Sequence, residues 1–123
     1  MFEIMIEDSF SAAHRLRNID GKPEKIHGHN WKIQLYILSK DLNPRGISVE
    51  FGQLKKELRG LIEPLDRAFI NEVFPFTEIN PTSENLSKWI YDTLSKRLDT
   101  DDLEVSRIVV SEVDGVSATF FDD

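Results

Sequence analysis

The sequence predicts an α+β fold, in which a four-stranded antiparallel sheet is covered on one face by two helices. Apolar and polar residues alternate at the N-terminus and again over residues 31–37, which is the period of a half-buried strand. In the middle of the chain the apolar residues recur at helical spacing, in two separate stretches. Near the C-terminus, two short apolar segments flank Asp114-Gly115, which favours a tight hairpin turn.

The first two strands are separated by a polar loop. On the first strand one face carries every second residue from Phe2 to Ile6, and the same parity continues through Phe10 to His14. Residues 15–26 include a glycine and a proline and predict the loop. One face of the second strand carries four large apolar residues, Trp31, Ile33, Leu35 and Ile37.

The two helices follow a cluster of turn residues at 41–46. The first helix has an apolar stripe of Phe51, Leu54, Leu58 and Leu61. Pro64 ends this helix or bends its exit, and residues 68–80 predict an irregular connection. Thr82 or Ser83 can cap the second helix. Its apolar stripe is Leu86, Trp89, Ile90, Leu94 and Leu98.

The last two strands are expected over residues 105–113 and 116–121, which gives the order strand, strand, helix, helix, strand, strand. One face of such a sheet packs on the helices, while the other face and the edge strands need cover. Small chains often provide that cover by joining the sheet to further copies of the same chain. We therefore expect an oligomer.

Composition limits the classes of function. A chain of 123 residues with 40% hydrophobic and 30% charged residues predicts one globular domain over residues 1–123. Because cysteine is absent, disulfides, thiolate metal sites and a cysteine nucleophile are excluded. The net charge of −7 argues against a nucleic-acid partner. No apolar run approaches about 20 residues and no basic–apolar leader begins the chain, so we expect a cytoplasmic protein without a membrane partner.

All three histidines fall in the first two strands. His27 and His29 stand two apart, so a strand directs both rings to one face. His14 ends the preceding strand on the face shared by its even-numbered residues, and a hairpin would bring the three rings together. Three imidazoles suit zinc and leave a fourth position for water or substrate. The alternative is that a His-x-His pair is only solvated.

Several segments resemble one enzyme family. Phe-Ser-Ala-Ala-His over 10–14 and His-Gly-His-Asn-Trp over 27–31 resemble the paired zinc motifs of the 6-pyruvoyl tetrahydropterin synthase family, which includes the 6-carboxytetrahydropterin synthases of queuosine biosynthesis. Further similar segments span nearly the whole chain in the family's order: residues 49–55, Leu65-Asp66-Arg67 with Asn71, Pro81-Thr82-Ser83-Glu84-Asn85 and Val110-Ser111-Glu112.

The resemblance implies the tunnelling fold (T-fold), with trimers whose sheets close into a twelve-stranded barrel and pair into a homohexamer. It implies zinc ligation by His14, His27 and His29. It also implies that Glu112 holds the N–H edge of a pterin through two parallel hydrogen bonds, supported by three residues at the start of the second helix, Thr82, Ser83 and Glu84. These four residues are expected to meet the zinc ligands of a neighbouring chain.

The sequence departs from the usual family pattern at two positions. The common enzyme has a cysteine four residues before the first histidine of His-Gly-His, where this chain has Pro23. The common Asp-His pair is here Asp66 followed by Arg67, and no histidine is left for proton transfer. Arginine stays protonated and cannot replace histidine as a base.

Glu24 offers a replacement for the cysteine. Glu24-Lys25-Ile26-His27-Gly28-His29 resembles the type III branch of the family, where a glutamate in Glu-x-x-His-Gly-His replaces the cysteine. That branch cleaves the side chain of 7,8-dihydroneopterin triphosphate, giving 6-hydroxymethyl-7,8-dihydropterin for folate biosynthesis. The resemblance implies that Glu24 is the general base, and Asp66 is the other catalytic candidate. The alternative for Glu24 is an ordinary solvated loop residue.

Two questions remain open at this level. Arg67 either forms an ion pair with Asp66 or binds phosphate of the substrate, to which a guanidinium is suited. The chain is expected to be a zinc-dependent lyase of the type III kind. The alternatives are a 6-pyruvoyl- or 6-carboxytetrahydropterin synthase with altered catalytic residues, and a non-catalytic pterin-binding homologue.

Overall fold

A computed structural model of the chain describes residues 1–17, 22 and 24–122. Its regular elements are β1 (Phe2–His14), β2 (His27–Ser39), α1 (Phe51–Ile62), α2 (Ser83–Leu98), β3 (Leu103–Val113) and β4 (Val116–Phe120). The four strands form one sheet in the order β1-β2-β3-β4, and each neighbouring pair is antiparallel. The predicted α+β class and the predicted order of elements are both confirmed.

The core lies between one face of the sheet and the two helices. The apolar face of β2 predicted from the sequence is fully buried, with Trp31, Ile33, Leu35 and Ile37 each 0% exposed. The helices contribute most of their apolar stripes to the same core, chiefly Leu54, Leu58, Leu86, Ile90 and Leu94. Every second residue of the strands therefore packs against the residues that recur every 3.6 positions on the helices, and together they form one apolar layer. Phe51, which the predicted stripe included, is 56% exposed at the start of α1.

Helix ends follow local side-chain chemistry. The side chain of Thr82 accepts a hydrogen bond from the backbone N–H of Asn85 at 3.0 Å, so Thr82 rather than Ser83 caps α2. Pro64 lies in a 3₁₀ turn that continues directly from α1, as expected for a proline at a helix exit.

The connection between the helices lies against the edge of β1. The backbone N–H of Arg67 donates to the carbonyl of Ser11, and the N–H of Ala13 donates to the carbonyl of Ala68 at 3.0 Å. Arg67 itself has a left-handed backbone with φ of 61°. Residues 67–69 thus cover part of the β1 edge, although an edge strand of this sheet was expected to need cover from another copy of the chain.

Arg17 anchors the far part of this connection. Its guanidinium donates to the carbonyls of Phe76 at 2.6 Å, Ile79 at 3.0 Å and Asn71 at 3.2 Å. A side chain with five fixed donors can satisfy several carbonyls of an irregular segment at once. The result is that the connection is held beside the end of β1, where His14 stands.

The strand registers bring distant residues to one end of the sheet. His14 pairs with His27, and Ala12 pairs with His29. On the other side of β2, Lys32 pairs with Ser111, so Glu112 follows at the same end.

A β-bulge interrupts the pairing of β3 with β4 at Glu112. Ser111 pairs with Ser117 and Val113 with Val116, which leaves Glu112 as the extra residue. Bulges re-aim a side chain and are frequent beside active sites.

No helix among the described residues combines the length and the apolar character needed to cross a lipid bilayer. The predicted trimer and hexamer stay predictions.

Candidate metal centre

The three histidines form a cluster with Glu112 at the end of the sheet. The Nε2 atoms of His14 and His27 are 2.9 Å apart. Glu112 Oε1 lies 2.9 Å from His14 Nε2, 3.0 Å from His29 Nε2 and 3.7 Å from His27 Nε2. One ligand atom from each of the four residues falls within 4.8 Å of every other. The convergence of the histidines that strand parity predicted is therefore present.

Backbone carbonyls fix the tautomers of two rings. His14 Nδ1 lies 2.8 Å from the carbonyl oxygen of Pro81, and His27 Nδ1 lies 3.0 Å from that of Lys25. Because a carbonyl only accepts, each Nδ1 carries the hydrogen and donates it. In the neutral ring the Nε2 atom then presents a lone pair, as in metal-ligating histidines whose other nitrogen is held by an outer partner.

These lone pairs face one another, and a metal ion between them would turn the contact into a favourable one. His29 Nε2 is buried and has no hydrogen-bond partner among the described residues, although Glu112 Oε1 is close. Burial also lowers the pKa of His29, despite the opposing effect of Glu112, which favours the neutral ring that metals bind. Neutral imidazole nitrogens with a carboxylate oxygen are a donor set typical of zinc, so the residues fit this metal.

Trp31 forms the apolar floor of the cluster. Its ring meets His14 edge-on at 4.8 Å and His29 at 5.7 Å between centroids. Its indole N–H donates to the carbonyl of Ala12 at 3.2 Å, which fixes the ring. Packing against Trp31 therefore restricts the rotamers of two candidate ligands, His14 and His29. Sequence periodicity predicted that Trp31 is a core residue but did not predict this contact.

Glu24 lies next to the cluster but on the outer side of one ring. Its Oε1 is 3.5 Å from His27 Nδ1 and accepts a hydrogen bond from the N–H of Leu16 at 3.2 Å. The side chain is 35% exposed, so solvent or a ligand can reach it. The structure thus brings Glu24 to the histidines, while its catalytic role stays a prediction. Pro23, at the position of the usual cysteine, lies outside the described residues.

Asp66 is occupied by other groups. Its Oδ1 accepts from the N–H of Ser11 at 3.0 Å, and its Oδ2 pairs with the Arg59 guanidinium at 2.6 Å. The Ser11 hydrogen bond and Arg59 lower the pKa of Asp66, which makes this carboxylate a weaker base. Of the two catalytic candidates, Asp66 is the less suited to accept a proton.

Arg67 is free of the ion pair considered for it. Asp66 pairs with Arg59, and Arg67 makes no ion pair with any residue that the structure describes. The exposed Arg67 lines an open cleft with Ser11, Ala13, Gly28, His29 and Asn30. Of the two interpretations, the ion pair with Asp66 is wrong, and phosphate binding stays a prediction. The role of Arg59 was missed, because this residue lies in the last turn of α1 and reaches Asp66 across the 3₁₀ turn of Glu63–Leu65.

The start of α2 lies beside the histidines of its own chain. Pro81, whose carbonyl holds His14, directly precedes Thr82, Ser83 and Glu84. The hydroxyl of Thr82 serves as the helix cap, and Glu84 is exposed. Their contact with a substrate stays a prediction.

Glu112 meets the histidines of its own chain. The expectation that this residue meets the histidines of a neighbouring chain is wrong, because β3 pairs directly with β2 and the bulge brings the carboxylate inward. Its contact with a substrate stays a prediction, as for the three residues of α2.

Comparison with known proteins gives a family match. The family described as 6-pyruvoyl tetrahydropterin synthase matches residues 3–123. A 6-carboxy-5,6,7,8-tetrahydropterin synthase of Synechocystis is 33% identical over 101 residues, which cover 78% of this chain and 77% of that protein. A dihydroneopterin monophosphate aldolase of Pyrococcus furiosus is 30% identical over 98 residues, which cover 80% of this chain and 79% of that protein.

Solved structures share the fold. The 6-pyruvoyl tetrahydropterin synthase of Caenorhabditis elegans has a TM-score of 0.83 at 22% identity, covering 99% of this chain and 96% of that one. A Plasmodium vivax 6-pyruvoyltetrahydropterin synthase, in a variant whose catalytic glutamate is replaced by alanine, has a TM-score of 0.77 at 20% identity, covering 99% of this chain and 98% of that one. The predicted T-fold is thereby confirmed.

Proposed function

The chain belongs to the 6-pyruvoyl tetrahydropterin synthase family, and we propose that it is a zinc-dependent lyase that cleaves the side chain of 7,8-dihydroneopterin triphosphate to 6-hydroxymethyl-7,8-dihydropterin. The observation that carries the proposal is the carboxylate of Glu24 beside His27, in a chain without cysteine. The similarity to an aldolase of a dihydroneopterin monophosphate supports side-chain cleavage. Folate biosynthesis in the cytoplasm is the proposed setting.

His14, His27 and His29 would hold the zinc ion. When bound, zinc supplies a Lewis acid that polarises oxygen atoms of the substrate's side chain. Glu24 takes the proton of the hydroxyl on C2′, and the C1′–C2′ bond breaks with its electron pair left on C1′. Glu24 then returns the proton to C1′. The products are the hydroxymethyl pterin and a two-carbon aldehyde that keeps the triphosphate.

The remaining residues bind and orient. Glu112 is proposed to accept two hydrogen bonds from the N–H edge of the pterin, with support from Thr82, Ser83 and Glu84 at the start of α2. Arg67, exposed in the cleft next to His29, is proposed to bind a phosphate of the substrate. Asp66 is proposed to position Arg67 without contacting the substrate. Its carboxylate binds the Ser11 N–H and the Arg59 guanidinium, and these contacts hold the backbone next to Arg67 in place.

We also propose that the protein is a homohexamer built from two trimers. A four-stranded sheet whose edge strands, β1 outside residues 11–13 and β4, have no further strand beside them among the described residues supports assembly by joining sheets. Light scattering at micromolar concentration tests this proposal. A mass of six chains supports it, and a monomer contradicts it.

The second candidate is a 6-carboxytetrahydropterin synthase with an altered catalytic set, as in queuosine biosynthesis. The Synechocystis relative, at 33% identity, favours it. Against it stands the absence of any cysteine in the sequence. A third candidate, a non-catalytic pterin-binding homologue, is favoured only by Arg67 in place of the usual histidine.

Product analysis distinguishes the three candidates. Zinc-loaded protein is incubated with 7,8-dihydroneopterin triphosphate and, in parallel, with the monophosphate, and the pterins are separated and identified by mass. Release of 6-hydroxymethyl-7,8-dihydropterin supports the proposal. A pyruvoyl or carboxy product as the only product contradicts it in favour of the second candidate, and no turnover by zinc-loaded protein favours the third.

A further inference from the structure

We infer that Glu112 is the fourth ligand of the metal when no substrate is bound, and that it leaves the metal when a pterin binds. The inference rests on the proposed function in one respect only, namely that oxygen atoms of the substrate's side chain reach the same metal. A closed shell of four protein ligands would make this residue a switch between metal and substrate.

The spacing of the four atoms supports direct ligation. Donor atoms that share one tetrahedral zinc at about 2.0–2.1 Å lie about 3.3 Å from one another. Glu112 Oε1 stands 2.9, 3.0 and 3.7 Å from the three Nε2 atoms. These separations correspond to the edges of a tetrahedron, so Oε1 occupies the fourth corner and not the central position of the metal.

Charge and hydrogen bonding support the same conclusion. His14 and His27 turn their lone pairs toward Oε1, because both Nδ1 hydrogens are given to carbonyls. His29 Nε2 reaches 3.0 Å from this oxygen without forming a hydrogen bond. An anionic oxygen surrounded by neutral acceptors is repelled unless a cation lies among them. A divalent ion at the centre turns each of these contacts into a favourable one.

Local backbone geometry explains why this glutamate can reach the centre and leave it. As the extra residue of the bulge, Glu112 is freed from regular pairing with β4. Its side chain is 28% exposed, whereas His14 is 2% exposed. Of the other two histidines, His29 is 19% exposed, and His27, although 37% exposed, is held by the Lys25 carbonyl. The Glu112 carboxylate has no such backbone contact among the described residues, so it is the part of the site with room to move.

Zinc affinity without any pterin tests the ligation. Wild type, Glu112→Gln and Glu112→Asp are titrated with zinc against a chelating indicator, with circular dichroism to verify folding. Glu104→Gln is the matched control, because it removes one exposed carboxylate from the opposite end of the same strand. We expect Glu112→Gln to weaken zinc binding at least 10–100-fold, the loss that removal of an outer-shell partner already causes, and the control to match wild type.

Cobalt-substituted protein tests the exchange. Cobalt(II) reports its ligands through visible absorption, and the probe added is unphosphorylated 7,8-dihydroneopterin, whose binding is followed by its own fluorescence. We expect the wild-type spectrum to differ from that of Glu112→Gln before the pterin is added, and to change once the pterin is bound.

Two results would overturn the inference. Wild-type zinc affinity and an unaltered cobalt spectrum in folded Glu112→Gln would show that the carboxylate is not a ligand. An unchanged wild-type cobalt spectrum at full pterin occupancy would show that it does not leave. Neither measurement involves turnover, so failure here is distinguishable from failure of the proposed reaction, which the product analysis decides.

Discussion

Replacing Glu24 with glutamine separates proton transfer from structure. The amide keeps an oxygen that can accept the N–H of Leu16, which Glu24 Oε1 now accepts at 3.2 Å. It cannot take a proton at neutral pH. The loop is therefore expected to stay in place while the proposed general base is lost.

The loss of turnover expected for a general base is much larger than the effect expected for a structural loop residue, so the assay can distinguish these two roles of Glu24. A positioned general base contributes about 10²–10⁴-fold, equivalent to about 3–5 kcal/mol of barrier. A purely structural role would cost about 1 kcal/mol, the typical net value of one hydrogen bond. Zinc affinity should change less than about tenfold, because His27 Nδ1 is held by the Lys25 carbonyl at 3.0 Å and is 3.5 Å from Glu24.

The assay is release of 6-hydroxymethyl-7,8-dihydropterin at saturating substrate, with zinc content and pterin binding measured on the same samples. Glu104→Gln serves again as the control for loss of one exposed carboxylate. We expect turnover to fall at least 100-fold while zinc and pterin are still bound. Full turnover in Glu24→Gln would refute the reasoning and make Glu24 an ordinary loop residue.

Substitutions at three further residues test the surroundings of the site. The Ser11 N–H and Arg59 lower the pKa of Asp66, so this carboxylate stabilises the fold above about pH 4 and the contribution is lost as pH falls through the lowered pKa. In Asp66→Asn, the free energy of unfolding should therefore fall less steeply as the pH is lowered below about 4, as urea titrations at several pH values would show. The same steepness as in wild type would contradict this. Arg67→Gln should raise KM for the triphosphate more than for unphosphorylated substrate, whereas Arg67→His should not create a pyruvoyl product, as steady-state kinetics and product analysis would show. Trp31→Phe should lower the free energy of unfolding by about 1–3 kcal/mol in urea titrations, because it removes a buried hydrogen bond to the Ala12 carbonyl and leaves part of a fully buried ring volume empty; wild-type stability would contradict this.

Periodicity predicted most of the strands and helices, because the residues that each element buries recur at the period of that element. The alternation on β2 assigned Trp31 and Ile33 to the core, and both are fully buried. The same parity argument brought His14, His27 and His29 together, since a strand leaves only two faces to choose from. These features depend on residues close in sequence or on one strand pairing.

Other features depended on backbone detail that no pattern encodes. The bulge that turns Glu112 toward the histidines comes from a one-residue mismatch between β3 and β4. The clamp of Arg17 on three carbonyls requires an irregular connection to lie beside β1. The pairing of Asp66 with Arg59 in place of Arg67 requires the last turn of α1 to lie beside the turn that contains Asp66.

Zinc stoichiometry is the most direct test of the central claim, which is that His14, His27 and His29 hold a metal ion. Elemental analysis of protein prepared with ample zinc and then freed of unbound metal gives the number of zinc ions per chain. We expect one zinc per chain in wild type and a large loss in His29→Ala, whose Nε2 is the buried atom without a hydrogen-bond partner. Wild-type protein that holds no zinc after this preparation would contradict the account.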